Sequence, residues 1–414
     1  MIIDFTVRNF GPFKDAVTFS MQGTALSDSP AYLIDVDGVK GGVLTSAIIL
    51  GANASGKSYL LKALSAMKNM VYDAYEEGYR YKWYEPFRMD EECSQSPVDL
   101  SIRMVIDGIR YDYSVSYLSD RVMSECLRYY PLDKPRTVFN RTGPKDYTSK
   151  VKKRVASMTS VSSTYLAVAA KYNDDICNGF RNALLYGVIV LGPNIDSLVD
   201  RSLRYALGNE EAHSLFVEAL GAADLGIVDF THTEEDVEIE KMRGKMLPDL
   251  YDTVAEKTDR LIKRHILLRH QFPAYDPKDD RLLFPMEIES MGTRSMFGLM
   301  GSLMDALSNG CALIIDEFGT HLHPLITRWI MQKFTVENNP EHAQLIVNTH
   351  DVMLLDGVED LRRDQVWFVN KSRTTGASDL YSLSDYKGVR QNTDILAAYL
   401  FGRFDAVPEP SDDL

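Results

Sequence analysis

The 414-residue sequence has few cysteines, no long apolar run and no excess of positive charge. Its four cysteines are far apart and form no CxxC pair, so they indicate reduced thiols in the cytosol rather than a disulfide framework. No apolar run approaches the roughly 20 residues that cross a bilayer, so we expect no membrane partner. The net charge of −14 argues against non-specific coating of nucleic acid. Any nucleic-acid contact should therefore be local or made through a partner.

The composition is that of a soluble globular protein. Apolar residues make up 45% and charged residues 25% of the chain, which is enough for a core. The length allows one large domain or two ordinary ones. The opening stretch "MIIDFTVRNF" alternates in polarity and includes Asp4 and Arg8. It therefore predicts a half-buried strand and no signal peptide.

Periodicity predicts the elements of the N-terminal part. The stretch 13–23 should pair with the first strand as a hairpin, and the alternation over 98–130 predicts an antiparallel β layer. The apolar run "GGVLTSAIIL" at 41–50 is typical of one central strand covered on both faces. Residues 58–81 have apolar side chains at helical spacing, which predicts a helix.

The middle and the end of the chain differ in pattern. From about 150 to 265 helical patterns such as "LPDLYDTVAEKTDRLIKRH" predict a helical insertion, and no heptad is sustained. Strands and helices alternate from 283 onward, which predicts a parallel sheet with helical crossovers.

The stretch "GANASGKS" at 51–58 matches G-x-x-x-x-G-K-[ST] between an apolar strand and a predicted helix. Backbone N–H groups of such a loop form a nest for phosphates. The candidate phosphate contacts are Gly51, Asn53, Ala54, Ser55, Gly56, Lys57 and Ser58. Lys57 can reach the β- and γ-phosphates of ATP, and Ser58 can hold Mg²⁺.

The stretch "CALIIDEF" at 311–318 is an apolar strand that ends in two carboxylates. Asp316 would hold Mg²⁺ through water, and Glu317 would polarise the attacking water. Alone, such a pair more often begins a loop, but downstream of a P-loop a catalytic pair is favoured. Because Lys57 and Asp316 are far apart in the chain, the two halves of the ATPase must be separated by a large insertion.

Two further motifs follow the order of ABC-class ATPases. "ESMGTR" resembles their signature motif, in which Ser290 and Gly292 would grip the γ-phosphate bound to the opposite subunit. The alternative is an ordinary helix cap by Ser290. "NTHD" resembles the switch motif, in which His350 would sense the γ-phosphate, although a lone histidine after a strand is usually structural. Four motifs in the expected order favour the ATPase.

Three other features are weaker evidence for function. The histidines of "HLHP" (321–324) could suggest a metal, but no cysteine or carboxylate cluster accompanies them. The resemblance to ABC-class ATPases, in which the stretch after the catalytic glutamate forms part of the dimer contact, favours that structural role instead. The basic stretch 145–154 could contact nucleic acid or an acidic partner, but such a stretch is more often simply a solvated face. Gln95 lies in a poor context for the glutamine that helps to bind Mg²⁺, and we assign it no role.

Together these motifs resemble the single-chain ABC-class ATPases of prokaryotic abortive infection, the RloA/AbiL group. That group is related to the OLD nuclease ATPase domain, to SMC and double-strand-break-repair ATPases, and to the ATPase of the PARIS anti-phage system. The resemblance rests on "FTVRNFGPFKD", "ILGANASGKS", "ALIIDEFGTHLHP", "QLIVNTHD" and "RRDQVWFVNK", and the endings "GASDLYSLSDYKGVR" and "YLFGRFDAVPEP" add to it. It spans most of the chain and is thin across 150–280.

The resemblance implies partners and further site residues. The group works with a separately encoded effector, often a Toprim-like nuclease, and the residues after "FVNK" are too few for such a domain in this sequence. It implies an ATP-sandwich homodimer or a higher oligomer. It also makes Arg8, Asn9 and Phe10 candidate nucleotide contacts.

We therefore expect an α/β fold, namely an ABC-class P-loop ATPase head with a mixed or parallel sheet, an antiparallel β layer and a helical insertion. The expected parts are an N-terminal ATPase part (1–148), a mainly helical insertion (149–280) and a C-terminal ATPase part with a tail (281–414). The expected function is an ATP- and Mg²⁺-dependent ATPase of anti-phage defence. The alternatives are a DNA-repair or chromosome-handling ATPase that binds DNA directly, and a transporter ATPase subunit.

Overall fold

The computed structural model describes residues 1–26, 28–132, 134–148, 151–239, 260–276, 278–356, 361–389 and 393–408. Internal contacts divide the chain into two compact units: unit 1 is Met1–Pro193 with Asp305–Leu414, and unit 2 is Asn194–Met304. The stretch 149–280, expected to be one insertion, is thus distributed over both units. Over the described ranges, no helix combines the length and apolar character needed to cross a bilayer.

Unit 1 contains a six-stranded antiparallel sheet in the order β2-β1-β6-β7-β8-β9. Its strands are β1 (Ile2–Arg8), β2 (Val17–Ser20), β6 (Val98–Ile106), β7 (Ile109–Tyr117), β8 (Val122–Tyr130) and β9 (Arg136–Arg141). Alternation places Phe5 and Leu100 in the core while Thr6 and Ser101 stay partly exposed. The predicted hairpin of the first two strands and the antiparallel layer are confirmed.

The second sheet of unit 1 has the order β10-β14-β15-β5-β16-β17. Its strands are β5 (Ser46–Leu50), β10 (Val188–Leu191), β14 (Ala312–Phe318), β15 (Gln344–Thr349), β16 (Val366–Lys371) and β17 (Ser378–Ser382). All neighbours are parallel except β16 and β17. Every residue of β5 and β15 is buried, as expected of strands covered on both faces. The predicted parallel sheet is confirmed.

The run "GGVLTSAIIL" is not one strand. Its first part belongs to β4 (Val39–Leu44), which pairs with β3 (Leu33–Val36) in a separate two-stranded sheet. Its second part is β5. The chain changes partners at Thr45, whose N–H donates to the carbonyl of Tyr32 and whose carbonyl accepts from Leu345. Apolar content alone does not reveal such an exchange of partners.

Helix α1 (Lys57–Tyr72) follows β5 and is shorter than predicted. Its apolar residues at helical spacing are buried. Beyond its end the aromatic side chains pack against one another instead of continuing the helix: the rings of Tyr75 and Tyr79 stack at 4.3 Å and those of Tyr81 and Trp83 at 5.7 Å. These aromatic contacts compete with the helical pattern.

The other described helices of unit 1 are α2 (Glu91–Gln95), α3 (Lys153–Met158), α4 (Tyr165–Lys171), α5 (Asp175–Tyr186), α9 (Pro324–Gln332) and α10 (Ile395–Leu400). Helices α3, α4 and α5 fulfil the helical pattern predicted after residue 150. They lead into β10, which adds an unpredicted strand to the parallel sheet.

Unit 2 is partly helical, with α6 (Ile195–Ala206) and α7 (Glu210–Ala222). Then β11 (Ile227–Glu238) and β12 (Arg260–His270) form an antiparallel hairpin, and β13 (Leu283–Pro285) pairs with β12. The helix predicted near the end of the insertion is therefore wrong over 260–265, and its part at 247–259 lies outside the described residues. In β12, buried Ile266 and Leu268 alternate with partly exposed neighbours, which is a strand period. Helix α8 (Met291–Asn309) follows, as predicted.

Candidate functional site

A cleft of about 700 Å³ lies in unit 1, where the parallel strands end. It is lined by the turn at Gly11 and Pro12, the loop and helix start 53–59, the segment 85–89, residues Glu317, Asn348 and His350, and the β16–β17 connection at Lys371 and Gly376. Open α/β sheets bind ligands at the carboxyl ends of their strands. Three of the lining parts lie at or just beyond the carboxyl ends of β5, β14 and β15, so the order of these strands brings the motifs together.

The loop 51–58 depends on glycine at two positions. Gly51 has φ +154° and Gly56 has φ +115°, and a Cβ on Gly56 would lie 2.6 Å from Cγ of Pro12. Gly56 also caps α1 and makes no side-chain hydrogen bond to the first amides of that helix. The backbone N–H groups of this turn are therefore free of side-chain caps and can receive a phosphate.

Lys57 lies at the start of α1 and folds back over the loop. Its Nζ donates to the carbonyls of Gly51 at 2.8 Å and Ala52 at 3.0 Å. Burial lowers the pKa of Lys57 to about 8, while the nearby carboxylates of Asp316 and Glu317 act in the opposite direction. The ammonium thus exchanges only two neutral carbonyls for a phosphate.

Ser58 and Asp316 are in direct contact, although they lie far apart in the chain. The hydroxyl of Ser58 donates to Oδ1 of Asp316 at 2.9 Å. The side chain of Asn348 donates from Nδ2 to the same carboxylate oxygen. Its own Oδ1 accepts from the N–H of Glu317 at 2.7 Å. Buried Asn348 therefore ties together the two acids that the sequence pointed to.

We did not predict a role for Asn348. The signal was present, because the residue begins "NTHD" directly after the apolar stretch "QLIV". A buried polar side chain at the carboxyl end of a parallel strand needs hydrogen-bond partners. Which partners it finds depends on β14 and β15 being neighbours.

Glu317 has the backbone of a special position. Its φ is +54°, and the register between β14 and β15 shifts between Ile315 and Phe318. Such a bulge redirects a side chain at the end of a strand, and a left-handed non-glycine residue is held there by its surroundings. Here the exposed carboxylate lines the cleft while the amide is held by Asn348.

His350 lines the same cleft, directly beyond the end of β15. Partial burial, and then the positive charge of Lys57, lower the pKa of the His350 imidazole below its usual value. The ring is therefore neutral near pH 7 and can donate one hydrogen bond and accept another.

The donor set suits a magnesium ion that arrives with a triphosphate. Ser58 and Asp316 offer a hydroxyl and a carboxylate within 2.9 Å of each other, and Mg²⁺ prefers oxygen ligands. Over the part of the chain that the structure describes, no group of three or more His, Cys, Asp or Glu side chains could hold a metal. One or two protein ligands plus phosphates and water is the usual arrangement for this ion.

Asn9 and Phe10 do not line the cleft, contrary to expectation. Asn9 is 3% exposed, and its amide donates to three carbonyls between residues 93 and 97 and accepts from the N–H of Phe87. Phe10 is buried in the core, and Arg8 pairs with a carboxylate of β6 at 2.9 Å. The two residues that follow Phe10 line the cleft instead. Asn9 acts indirectly, because it holds the segment that supplies part of the lining.

Ser290 and Gly292 belong to unit 2 and are not among the residues that line the cleft. The hydroxyl of Ser290 accepts from the N–H of Thr293 at 3.1 Å, immediately before α8 begins at Met291. Ser290 therefore caps α8, as the alternative interpretation expected. A cap does not exclude contact with a second copy, and the signature role stays a prediction.

The remaining candidates have ordinary surroundings. Nδ1 of His323 accepts from the N–H of Leu325 at 3.2 Å and caps α9. A dimer contact at this stretch stays a prediction. Gln95 ends α2 and does not line the cleft. In the basic stretch, Lys152 pairs with Asp174 at 2.8 Å, while residues 149 and 150 lie outside the described ranges.

Residues 46–356 match the family model described as "AAA domain, putative AbiEii toxin, Type IV TA system". The chain belongs to this family. The matched range contains the P-loop, the acids at 316 and 317 and His350, so this AAA family member is a P-loop ATPase. No curated protein matches the chain.

Three solved structures are similar to the chain at low sequence identity. The SMC head domain from Thermotoga maritima is 14% identical, covers 92% of this chain and 98% of its own, and has a TM-score of 0.41. The SmcHead bound to the C-winged helix domain of ScpA is 14% identical, and the match covers 92% of this chain and 97% of that one, with a TM-score of 0.45. The third structure is an Smc head domain with an extended coiled coil bound to the C-terminal domain of ScpA derived from Pyrococcus furiosus. It is 12% identical, and the match covers 92% of this chain and 96% of that one, with a TM-score of 0.40.

The predicted α/β class is confirmed by the mixed sheet, the antiparallel sheet and the P-loop between β5 and α1. The family match is coarser than the predicted kinship with RloA/AbiL-type ATPases.

Proposed function

We propose that the protein is an ATP-hydrolysing switch of a prokaryotic anti-phage defence system of the abortive-infection type. It senses a trigger and controls a separately encoded effector, which we take to be a nuclease related to the Toprim fold. The observation that carries the ATPase part is the meeting of Lys57, Ser58, Asp316 and Glu317 at one cleft. The defence part is supported by the family's description as a putative AbiEii toxin of a type IV toxin–antitoxin system.

Each residue has a role that its surroundings permit. Backbone N–H groups of the loop 51–58 bind the phosphates, and Lys57 leaves its two carbonyls for the β- and γ-phosphates. Ser58 and Asp316 would hold Mg²⁺, which when bound neutralises charge on the phosphate oxygens. Glu317 orients and polarises the attacking water, with Asn348 holding its backbone. Neutral His350 donates a hydrogen bond to the γ-phosphate.

A second copy of the chain completes the site in this proposal. The Ser290 and Gly292 helix start of one copy contacts the γ-phosphate held by the P-loop of its partner. Turnover per molecule should then rise with protein concentration. ATP contacts both copies when they are joined and only one copy when they are apart. Binding and hydrolysis of ATP can therefore shift the equilibrium between these two states, and an effector can recognise one of them.

Two variants test the ATPase. Glu317→Gln should keep ATP binding and abolish turnover, because the amide keeps the shape of the side chain but is not a base. Lys57→Ala should lose ATP binding. Glu341→Gln, an exposed residue just before β15, serves as the matched control with unchanged turnover. Turnover at the parent rate in Glu317→Gln, measured by phosphate release, would remove Glu317 from its role.

The effector part has its own test. A reading frame beside that of this chain should encode a nuclease, and co-expression should protect cells from phage only when both proteins are present. A membrane permease in that position would contradict the proposal.

A further inference from the structure

The start of α8 is held closely within unit 2. Arg294, in its first turn, pairs with Asp196 of α6 at 2.7 Å. Farther along, the hydroxyl of Ser202 donates to the carbonyl of Gly298 and accepts from the N–H of Gly301, at 2.7 and 2.9 Å. A Cβ on Gly301 would lie 2.6 Å from Cα of Ser202, so the two helices touch backbone to backbone. One side of α8 is therefore fixed by α6.

A second restraint comes from the hairpin of unit 2. His270, the last residue of β12, hydrogen-bonds from Nε2 to Oε1 of Glu289 at 2.8 Å. Glu289 immediately precedes Ser290, the cap of α8. Since a carboxylate only accepts, the ring tautomer must carry its hydrogen on Nε2. The bond therefore ties the end of the hairpin to the residue that leads into the helix.

This pair is enclosed, unlike similar pairs in the described part of unit 2. The side chains of His270 and Glu289 are 18% and 10% exposed, whereas those of His213 and Asp229 are 35% and 52% exposed at 3.1 Å. The His270 ring also meets Phe284 edge to face at 5.2 Å. Hydrogen bonds to charged groups strengthen as water is excluded, and removing one partner leaves the other buried without compensation.

We infer that His270 and Glu289 are a positioning pair for the ATPase reaction. The pair fixes the orientation of the backbone at Ser290 and Gly292 before these residues contact a second copy of the chain. The effect on turnover rests on the proposed function, while the effect on α8 does not. A displacement of the hairpin can reach the start of α8 through this enclosed contact, through the pairing of β12 with β13, and through the more exposed contact of His265 with Glu287. The pair does not touch the nucleotide, so it acts only by orienting the residues that follow.

The test compares His270→Ala, Glu289→Ala and His270→Gln in the full chain. Both alanine variants should keep the dissociation constant for ATP, which is measured in the Glu317→Gln background. With Glu317 intact, they should lower turnover about tenfold, which is comparable to the loss of one hydrogen bond to a charged group. Amides Thr293 and Arg294, which bond to Ser290, should exchange hydrogen about tenfold faster. His270→Gln should restore turnover, because its Nε2 can donate to Glu289.

His213→Ala is the control: it removes an exposed pair on α7 and β11, and it should change neither turnover nor exchange at α8. Parent-like turnover and exchange in His270→Ala would overturn the inference, and so would failure of His270→Gln to restore turnover. If the parent itself shows no ATP turnover, or turnover independent of concentration, the proposed function or its second-copy contact fails. The exchange result then still decides whether the pair positions α8.

Discussion

Asn348→Ala is the most informative single change in the cleft. The asparagine side chain makes one hydrogen bond to the carboxylate of Asp316 and another to the backbone of Glu317. It is 1% exposed, so truncation leaves both partners without a hydrogen bond that is buried in the parent. Truncation should therefore affect both the stability of the fold and the placement of Glu317.

The magnitude follows from these two bonds. A hydrogen bond to a charged group contributes about 1.5–3 kcal/mol and a neutral one about 1 kcal/mol, so we expect a loss of about 3 kcal/mol in the free energy of unfolding. Glu317 also has φ +54°, a conformation that costs about 1–3 kcal/mol and persists only while its surroundings hold it. Relaxation by about 1 Å would lower turnover about 100-fold.

Two assays separate the effects. Urea denaturation gives the stability change, and phosphate release at saturating ATP gives turnover per folded molecule. Asn339→Ala is the matched control, because buried Asn339 makes two hydrogen bonds of 2.8 Å to the backbone of Ala343, away from the cleft. It should lower stability by about 2 kcal/mol and leave turnover intact. The reasoning is refuted if folded Asn348→Ala turns over ATP at the parent rate.

Two further predictions concern the P-loop. Gly56→Ala should weaken ATP binding and lower Tm, because φ +115° disfavours a side chain and its Cβ would meet Pro12; Gly78→Ala, also at positive φ but in open space, should keep ATP affinity. Calorimetry should show ATP affinity level well below pH 8 and falling by up to about tenfold per pH unit above it, because the bound triphosphate raises the pKa of Lys57 from about 8 and binding then requires a proton. Lys57→Arg should remove that fall, since guanidinium stays charged; a flat profile in the parent would contradict the assigned pKa.

The chemistry-bearing stretches were predictable because their signals are local. The loop 51–58 needs glycine where φ is positive, and the acids at 316 and 317 lie in the last residues of a strand whose first four residues are buried. Those requirements involve only neighbouring residues. The contact between Ser58 and Asp316 also followed, because parallel strands bring their carboxyl ends to one edge.

Other predictions failed where partners distant in sequence decide the outcome. Nothing in "RNF" shows that Asn9 is enclosed by carbonyls from residues 93–97, so it looked available to a nucleotide. The run at 41–50 is apolar throughout, and only its separate pairing with β3 and β15 divides it. The strand β12 contains charged residues that also fit a helix, and pairing with β11 decides between them.

By itself, the sequence determined the α/β class, the phosphate loop and the pair of acids, because periodicity and backbone geometry act over a few residues. Only the tertiary structure decided that Asn348 joins those acids, that Asn9 supports the cleft without lining it, and that His270 is tied to Glu289. Each of these depends on hydrogen bonds between distant segments. Such bonds form when strand order brings buried polar groups within reach of each other, and a linear pattern carries no record of that order.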